Sequence, residues 1–130
     1  MVTDNSQHDA EVRQFLLDQI DSVPHLEALL LLWNSRPKLW QADEMAGRLY
    51  VDREVALRLL QDLARQQLID SDTSSPERYC YRDDPADRSR LIRMVDETYR
   101  REVVRVYTLI HSKPSSPVRD FARAFRFTKE

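Results

Sequence analysis

Residues 40–69 read WQADEMAGRLYVDREVALRLLQDLARQQLI, and this stretch decides the fold. Gln41 to Leu49 is predicted as a short helix with Met45, Ala46 and Leu49 inward, and Gln41 and Glu44 stand where a capping box would stand. Tyr50-Val51 is a turn. Asp52 is a good N-cap, and Glu54 suits a helix start because the free N–H groups there favour negative charge. A second helix is predicted from Arg53 to about Gln66, with Ala56, Leu59, Leu60 and Leu63 as its buried stripe. Leu68 to Asp72 and Arg78 to Arg82 read as two strands, and the polar Thr73 to Glu77 between them as a hairpin tip. Tyr79 and Tyr81 share one face by the period of two.

Working outward toward the N-terminus, Val12, Phe15, Leu16 and Ile20 recur at helical spacing, so Asp9 to Ile20 is predicted helical. Ser22-Val23-Pro24 breaks and restarts the chain, Pro24 being tolerable in a first helical turn. The next helix carries Leu26, Leu29, Leu30 and Trp33 and is apolar on much of its surface, as a central core helix is. Pro37 forbids its continuation, and Leu39-Trp40 reads as a minimal strand.

On the C-terminal side, Pro85 opens a long helix predicted to reach Ser112. Its stripe, Ile92, Val95, Tyr99, Val103, Val106 and Ile110, is close to a heptad seam, widened by Leu91, Tyr107 and Leu109. The helix is longer than so small a domain needs, so the seam is expected to pair with a second copy of the chain. Lys113 to Pro117 is a break. In the tail that follows, Phe121, Ala122 and Phe125 fall on one helical face, with Arg119, Arg123 and Arg126 elsewhere around the turn.

The 130 residues suffice for one domain with a modest core plus an accessory element, and 42% hydrophobic with 32% charged residues argue against disorder. With Gly47 as the only glycine, phosphate-cradling and dinucleotide-binding loops are close to excluded. Cys80 has no partner for an internal disulfide, which suits a reducing cytoplasm, and reads as a small apolar filler in a strand. The longest apolar run, Leu29 to Trp33, is too short to span a bilayer, and Met1 to Ala10 is too polar for a signal peptide, so a cytoplasmic location is expected. The net charge of −2 is unevenly spread: Met1 to Ser22 carries −4, Val23 to Asp83 −2 and Asp84 to Glu130 +4. Attraction to phosphate should therefore sit in the C-terminal third.

Pro24 to Arg82, with QADEMAGRLYVDREVALRLLQDLARQQLI followed by a hairpin ending YCYR, resembles the winged helix-turn-helix superfamily of bacterial transcription regulators. The resemblance implies a mainly α fold with a small β wing, an N-terminal helix and a long C-terminal helix. It makes Gln41 to Leu49 the supporting helix, Arg53 to Gln66 the recognition helix and Leu68 to Arg82 the wing. The expected organisation is an acidic N-terminal helix over 1–22, the winged domain over 23–84, a dimerisation helix over 85–112 and a Phe- and Arg-rich tail over 113–130.

Function follows with a conflict. Arg58 and Gln61 are residue types that read guanine and adenine edges, and Arg53 and Arg65, with Arg78 and Arg82 on the wing, suit phosphates. Glu54 and Asp62 would repel the backbone, Leu57 offers only apolar contact, and Asp70, Asp72 and Glu77 make the wing mixed. The first expectation is a homodimeric regulator that binds double-stranded DNA and pairs through Ile92, Val95, Tyr99, Val103, Val106 and Ile110. The alternative is a protein-interaction module that uses the recognition-helix face and docks its tail on a partner through Phe121 and Phe125. No membrane association and no cofactor are expected. Enzyme chemistry is not: His8, His25 and His111 are far apart, Asp43-Glu44 and Asp83-Asp84 are adjacent acids that do not face one another, and no cluster has metal-ligand spacing. Trp33, Trp40, Tyr99 and Tyr107 are candidates for a pocket lining, with core packing as their default role.

Overall fold

The chain folds around its most apolar helix. A computed structural model describes residues 2–72, 77–83 and 85–113, with side chains from position 8 onward. The elements run α1 (Val2–Gln19), α2 (Val23–Asn34), α3 (Ala42–Leu49), α4 (Arg53–Arg65), β1 (Ile69–Asp72), β2 (Arg78–Tyr81), α5 (Ala86–Arg101) and α6 (Val103–His111). This is a winged helix-turn-helix: α2, α3 and α4 pack together, and the β1–β2 hairpin lies against α2 and α4.

Ser22 caps α2 from an extended conformation, its Oγ accepting the His25 N–H at 3.4 Å, and Pro24 occupies the first turn. Val23, Leu26, Ala28, Leu29, Leu30, Leu32 and Trp33 of this helix are all buried, so four elements, α3, α4, β2 and α5, can cover it at once. In α3, Glu44 Oε1 accepts the Gln41 N–H at 2.9 Å, satisfying a donor that the helix start leaves open. This bond, with Lys38 beside it, holds the Glu44 carboxyl below the usual range.

The turn between α3 and α4 is made at Tyr50, a non-glycine residue in the left-handed region (φ 58°). The lone Gly47 lies within α3, where a side chain would meet only open space. Helix α4 buries Ala56, Leu59, Leu60 and Leu63, as its period predicts. It ends in a Schellman motif around left-handed Gln67 (φ 64°): Gln67 N–H donates to Ala64 O at 2.9 Å and Leu68 N–H to Leu63 O at 3.0 Å. Leu63 and Leu68 are both buried beside it.

The hairpin is antiparallel, pairing Ile69 with Tyr81 and Asp72 with Arg78. Trp40 adds one residue of a third strand, exchanging N–H···O bonds of 2.7 and 2.8 Å with Tyr79. Tyr79 and Tyr81 point into the core together, as expected. Cys80 is half-buried between them on the opposite face, and burial with Asp70 and Asp72 nearby pushes its thiol up, so it is a poor nucleophile.

The expected single helix from Ala86 to Ser112 is two helices. The backbone turns at Glu102 (φ −133°, ψ 55°), where α5 ends and α6 begins. The turn lets both halves pack on α1. Lys113 then closes the C-terminal end of α1, its Nζ donating to Leu16 O at 2.8 Å and to Ile20 O. No helix among the described residues is long and apolar enough to cross a membrane.

Candidate nucleic-acid interface

With Ala56, Leu59, Leu60 and Leu63 committed inward, the helical period leaves one outward ridge on α4: Glu54, Arg58, Gln61 and Arg65, spaced by four, three and four residues and all exposed. Arg58 and Gln61 have no hydrogen-bond or ion partner among the described residues, so both are free to engage a ligand. Arg65 Nη1 lies 2.9 Å from Asp62 Oδ1, with the Arg65 side chain 72% exposed. Arg53 is beside the ridge, its Nε 2.6 Å from Asp43 Oδ1, and both side chains are well exposed, an arrangement worth little in stability and easily exchanged for phosphate.

Two residues expected on this face are elsewhere. Leu57 is half-buried against the core, because its position flanks the inward stripe. Asp62 turns toward α2: its Oδ2 sits 2.9 Å from His25 Nε2, while His25 Nδ1 is 2.6 Å from Ser22 Oγ. With Oδ1 held by Arg65, both carboxylate oxygens are occupied, so Asp62 presents no free anion to the ridge. Glu54 remains the one acid along it.

The wing is more constrained. Arg82 Nε is 3.8 Å from Asp70, and Arg78 is half-buried with its Nε lacking a hydrogen-bond partner among the described residues. Glu77 accepts the Tyr79 hydroxyl at 2.7 Å; burial and this carboxylate push the phenol far up.

The expected dimer seam is largely the chain's own core. Ile92, Val95, Val106 and Ile110 are at most 3% exposed within one chain, so they offer nothing to a second copy. The bend at Glu102 is the reason, since it folds both halves of the stripe onto the same molecule. Tyr99 is half-buried, its hydroxyl donating to Glu27 Oε2 at 3.0 Å and meeting the Tyr107 hydroxyl at 3.3 Å. Burial, Tyr107 and Glu27 together push its phenol far up. Val103 is 39% exposed, and Val104 and Tyr107 beside it on α6 are exposed at 73% and 37%. Phe121 and Phe125 lie outside the described residues.

The four aromatic candidates do not form one pocket. Trp33 packs edge-on against Tyr81 (5.0 Å between centroids) under the Arg36 guanidinium, and Trp40 is buried with its Nε1 donating to Ser35 Oγ at 2.9 Å. A separate cleft of about 400 Å³ opens between α2, the α3–α4 turn and α5, edged by Arg48, Tyr50, Tyr99 and Arg100. Beside it the buried Asp96 is held by Arg100 at 3.1 Å and Asn34 at 3.2 Å, a tie between α2 and α5 that no local pattern announces. Among the described residues no group of three His, Cys, Asp or Glu side chains is placed to hold a metal.

No protein-family model matches the sequence, and no curated protein does. Solved structures do share the fold. A MarR family protein from Bacillus stearothermophilus superposes at TM-score 0.53 with 17% identity, over 96% of this chain and 84% of that one. MepR, a transcription regulator of the Staphylococcus aureus multidrug efflux pump MepA, superposes at 0.51 with 16% identity, over 98% and 90%. MepR in its DNA complex superposes at 0.50 with 13% identity, over 98% and 92%. At these identities the likeness establishes the winged helix-turn-helix and nothing finer.

Proposed function

We propose that the chain is a DNA-binding transcription regulator that works as a homodimer, with α4 as the recognition helix and the β1–β2 hairpin as its wing. The observation that carries this reading is the α4 ridge: Arg58 and Gln61 stand exposed and unengaged, one turn apart, on the helix that the fold presents outward. Both are suited to bidentate contact with base edges in a major groove. Arg53 and Arg65 flank them as phosphate contacts, Arg53 by giving up an exposed ion pair that costs little to exchange, Arg65 while it still holds Asp62. The occupied Asp62 removes one of the two acids that weigh against this surface. The fold shared with a regulator solved on DNA points the same way.

Pairing would use α6, where Val103, Val104 and Tyr107 make an apolar strip that the described residues leave open. Two recognition helices about one DNA turn apart would then meet a two-fold symmetric site. The test is a salt titration of binding to random and genomic duplexes. The expected result is a slope of log affinity against log salt of about −0.9 for each phosphate neutralised, with tighter binding to selected genomic fragments. A slope near zero, or no binding at low salt, rejects DNA as the ligand and returns the α4 face to a protein partner.

A further inference from the structure

We infer that the groove between α1 and α5 is the docking site for the chain's own C-terminal segment, residues 114–130. Two adjoining hollows of about 390 and 280 Å³ share His8 and Met94 and run along the contact of the two helices. Val12, Leu91 and Met94 are the apolar side chains of a lining that is otherwise mostly polar. Asp9 and Glu11 from α1 and Glu97 from α5 line its walls. Asp87 and Glu102 also line it but are paired with its arginines, Asp87 with Arg90 at 3.2 Å and Glu102 with Arg101 at 3.6 Å. Glu11 and Glu97 have no ion partner among the described residues.

The segment after Lys113 has the complementary character. Phe121 and Phe125 are four residues apart in the sequence, and Arg119, Arg123, Arg126 and Lys129 stand among them against Asp120 and Glu130. Phenylalanines set among bases complement a mostly acidic lining that holds a few apolar side chains. Position is also fixed, because Lys113 is tied to the end of α1 at Leu16 and Ile20. From Ile20 back to Asp9 is about 17 Å along the helix. The extended chain from Lys113 to Phe121 reaches about 26 Å, so both phenylalanines can be delivered to Leu91 and Met94 of the same molecule. This inference is independent of whether α4 binds DNA.

Photocrosslinking of the full chain with p-benzoylphenylalanine in place of Phe125 tests it, using an equilibrated mixture of light and heavy isotope-labelled protein. The expected products join position 125 to Met94 or Leu91 within chains of one label. The Glu11→Lys, Glu97→Lys double variant should lose the product, and raising salt should reduce it in the unmodified groove, which keeps the test valid if the double variant folds poorly. Mixed-label products would put the tail of a second copy in the groove and overturn the inference. Crosslinks elsewhere, no crosslink, or a yield indifferent to both charge reversal and salt would overturn it as well.

Discussion

Helix α4 and the α5–α6 pair carry apolar stripes of nearly the same period, yet they do different things with the opposite face. In α4 the buried stripe is complete and the outward ridge is polar, with Arg58 and Gln61 unengaged. In α5–α6 the stripe is also buried, by α1 and α2 of the same chain, and apolar side chains are left outside at Val103, Val104 and Tyr107. A periodic stripe shows that a face is covered; only the third dimension shows what covers it. What remains exposed is then the better guide to function, mostly polar on α4, with Val55 its exposed large apolar side chain, and apolar at Val103, Val104 and Tyr107 on α6.

The largest effect that would break this comparison is at Ile92. Ile92→Ala should destabilise the fold by about 2–5 kcal/mol in urea denaturation, since a wholly buried side chain leaves a cavity. The loss should not depend on protein concentration. A loss that vanishes on dilution would return Ile92 to an interface between chains. Next in size is Asp96→Ala, which leaves Arg100 and Asn34 without their shared acceptor and should cost about 1–3 kcal/mol, read as a lowered urea midpoint. An unchanged midpoint would show that Asp96 is not what holds α5 to α2, leaving apolar contact and the Tyr99–Glu27 and Arg100–Asn34 bonds to do so.

Smaller effects sharpen the helix-turn-helix side. Gly47→Ala should stabilise α3 by about 0.5–1 kcal/mol in the same denaturation, because the added methyl meets open space and glycine is costly within a helix. Destabilisation would mean that the position is covered by something outside the described residues. The smallest effect is at Glu44, whose carboxyl is held low by the Gln41 N–H and Lys38. A depressed folded pKa gives stability that is fully present above the unfolded value, 4.5, and is lost as pH falls through the lower folded value. Thermal melts should therefore show Glu44→Gln slightly less stable than the parent at pH 7 and equal to it in strong acid. A gap that persists in acid would assign the effect to shape rather than charge.

Much of the winged unit is legible from Leu59, Leu60 and Leu63 and from the paired tyrosines of the hairpin, because each signal is local; α4 does start after Asp52, but the Asp52 side chain makes no capping hydrogen bond. The bend at Glu102 is not, since neither proline nor glycine marks it and the heptad spacing runs straight across. Asp62 reads as an exposed acid until His25, far back in the sequence, is placed against it. The same holds for Asp96 with Asn34 and for Lys113 with the end of α1, contacts that exist only after folding. Tyr50 and Gln67 adopt left-handed turns that sequence habit assigns to glycine or asparagine, so the chain hides its turn chemistry.

The central claim is that the α4 ridge, and not the α5–α6 face, meets DNA. The most direct measurement is the affinity of Arg58→Ala and Arg93→Ala, the latter an exposed arginine on α5 with no partner among the described residues, for a duplex selected from genomic fragments and for its single-base variants at fixed salt. The account predicts that Arg58→Ala loses about 1–3 kcal/mol and relaxes discrimination at one base pair, while Arg93→Ala binds as the parent does. Unchanged affinity and discrimination in Arg58→Ala, with a loss in Arg93→Ala, would contradict it.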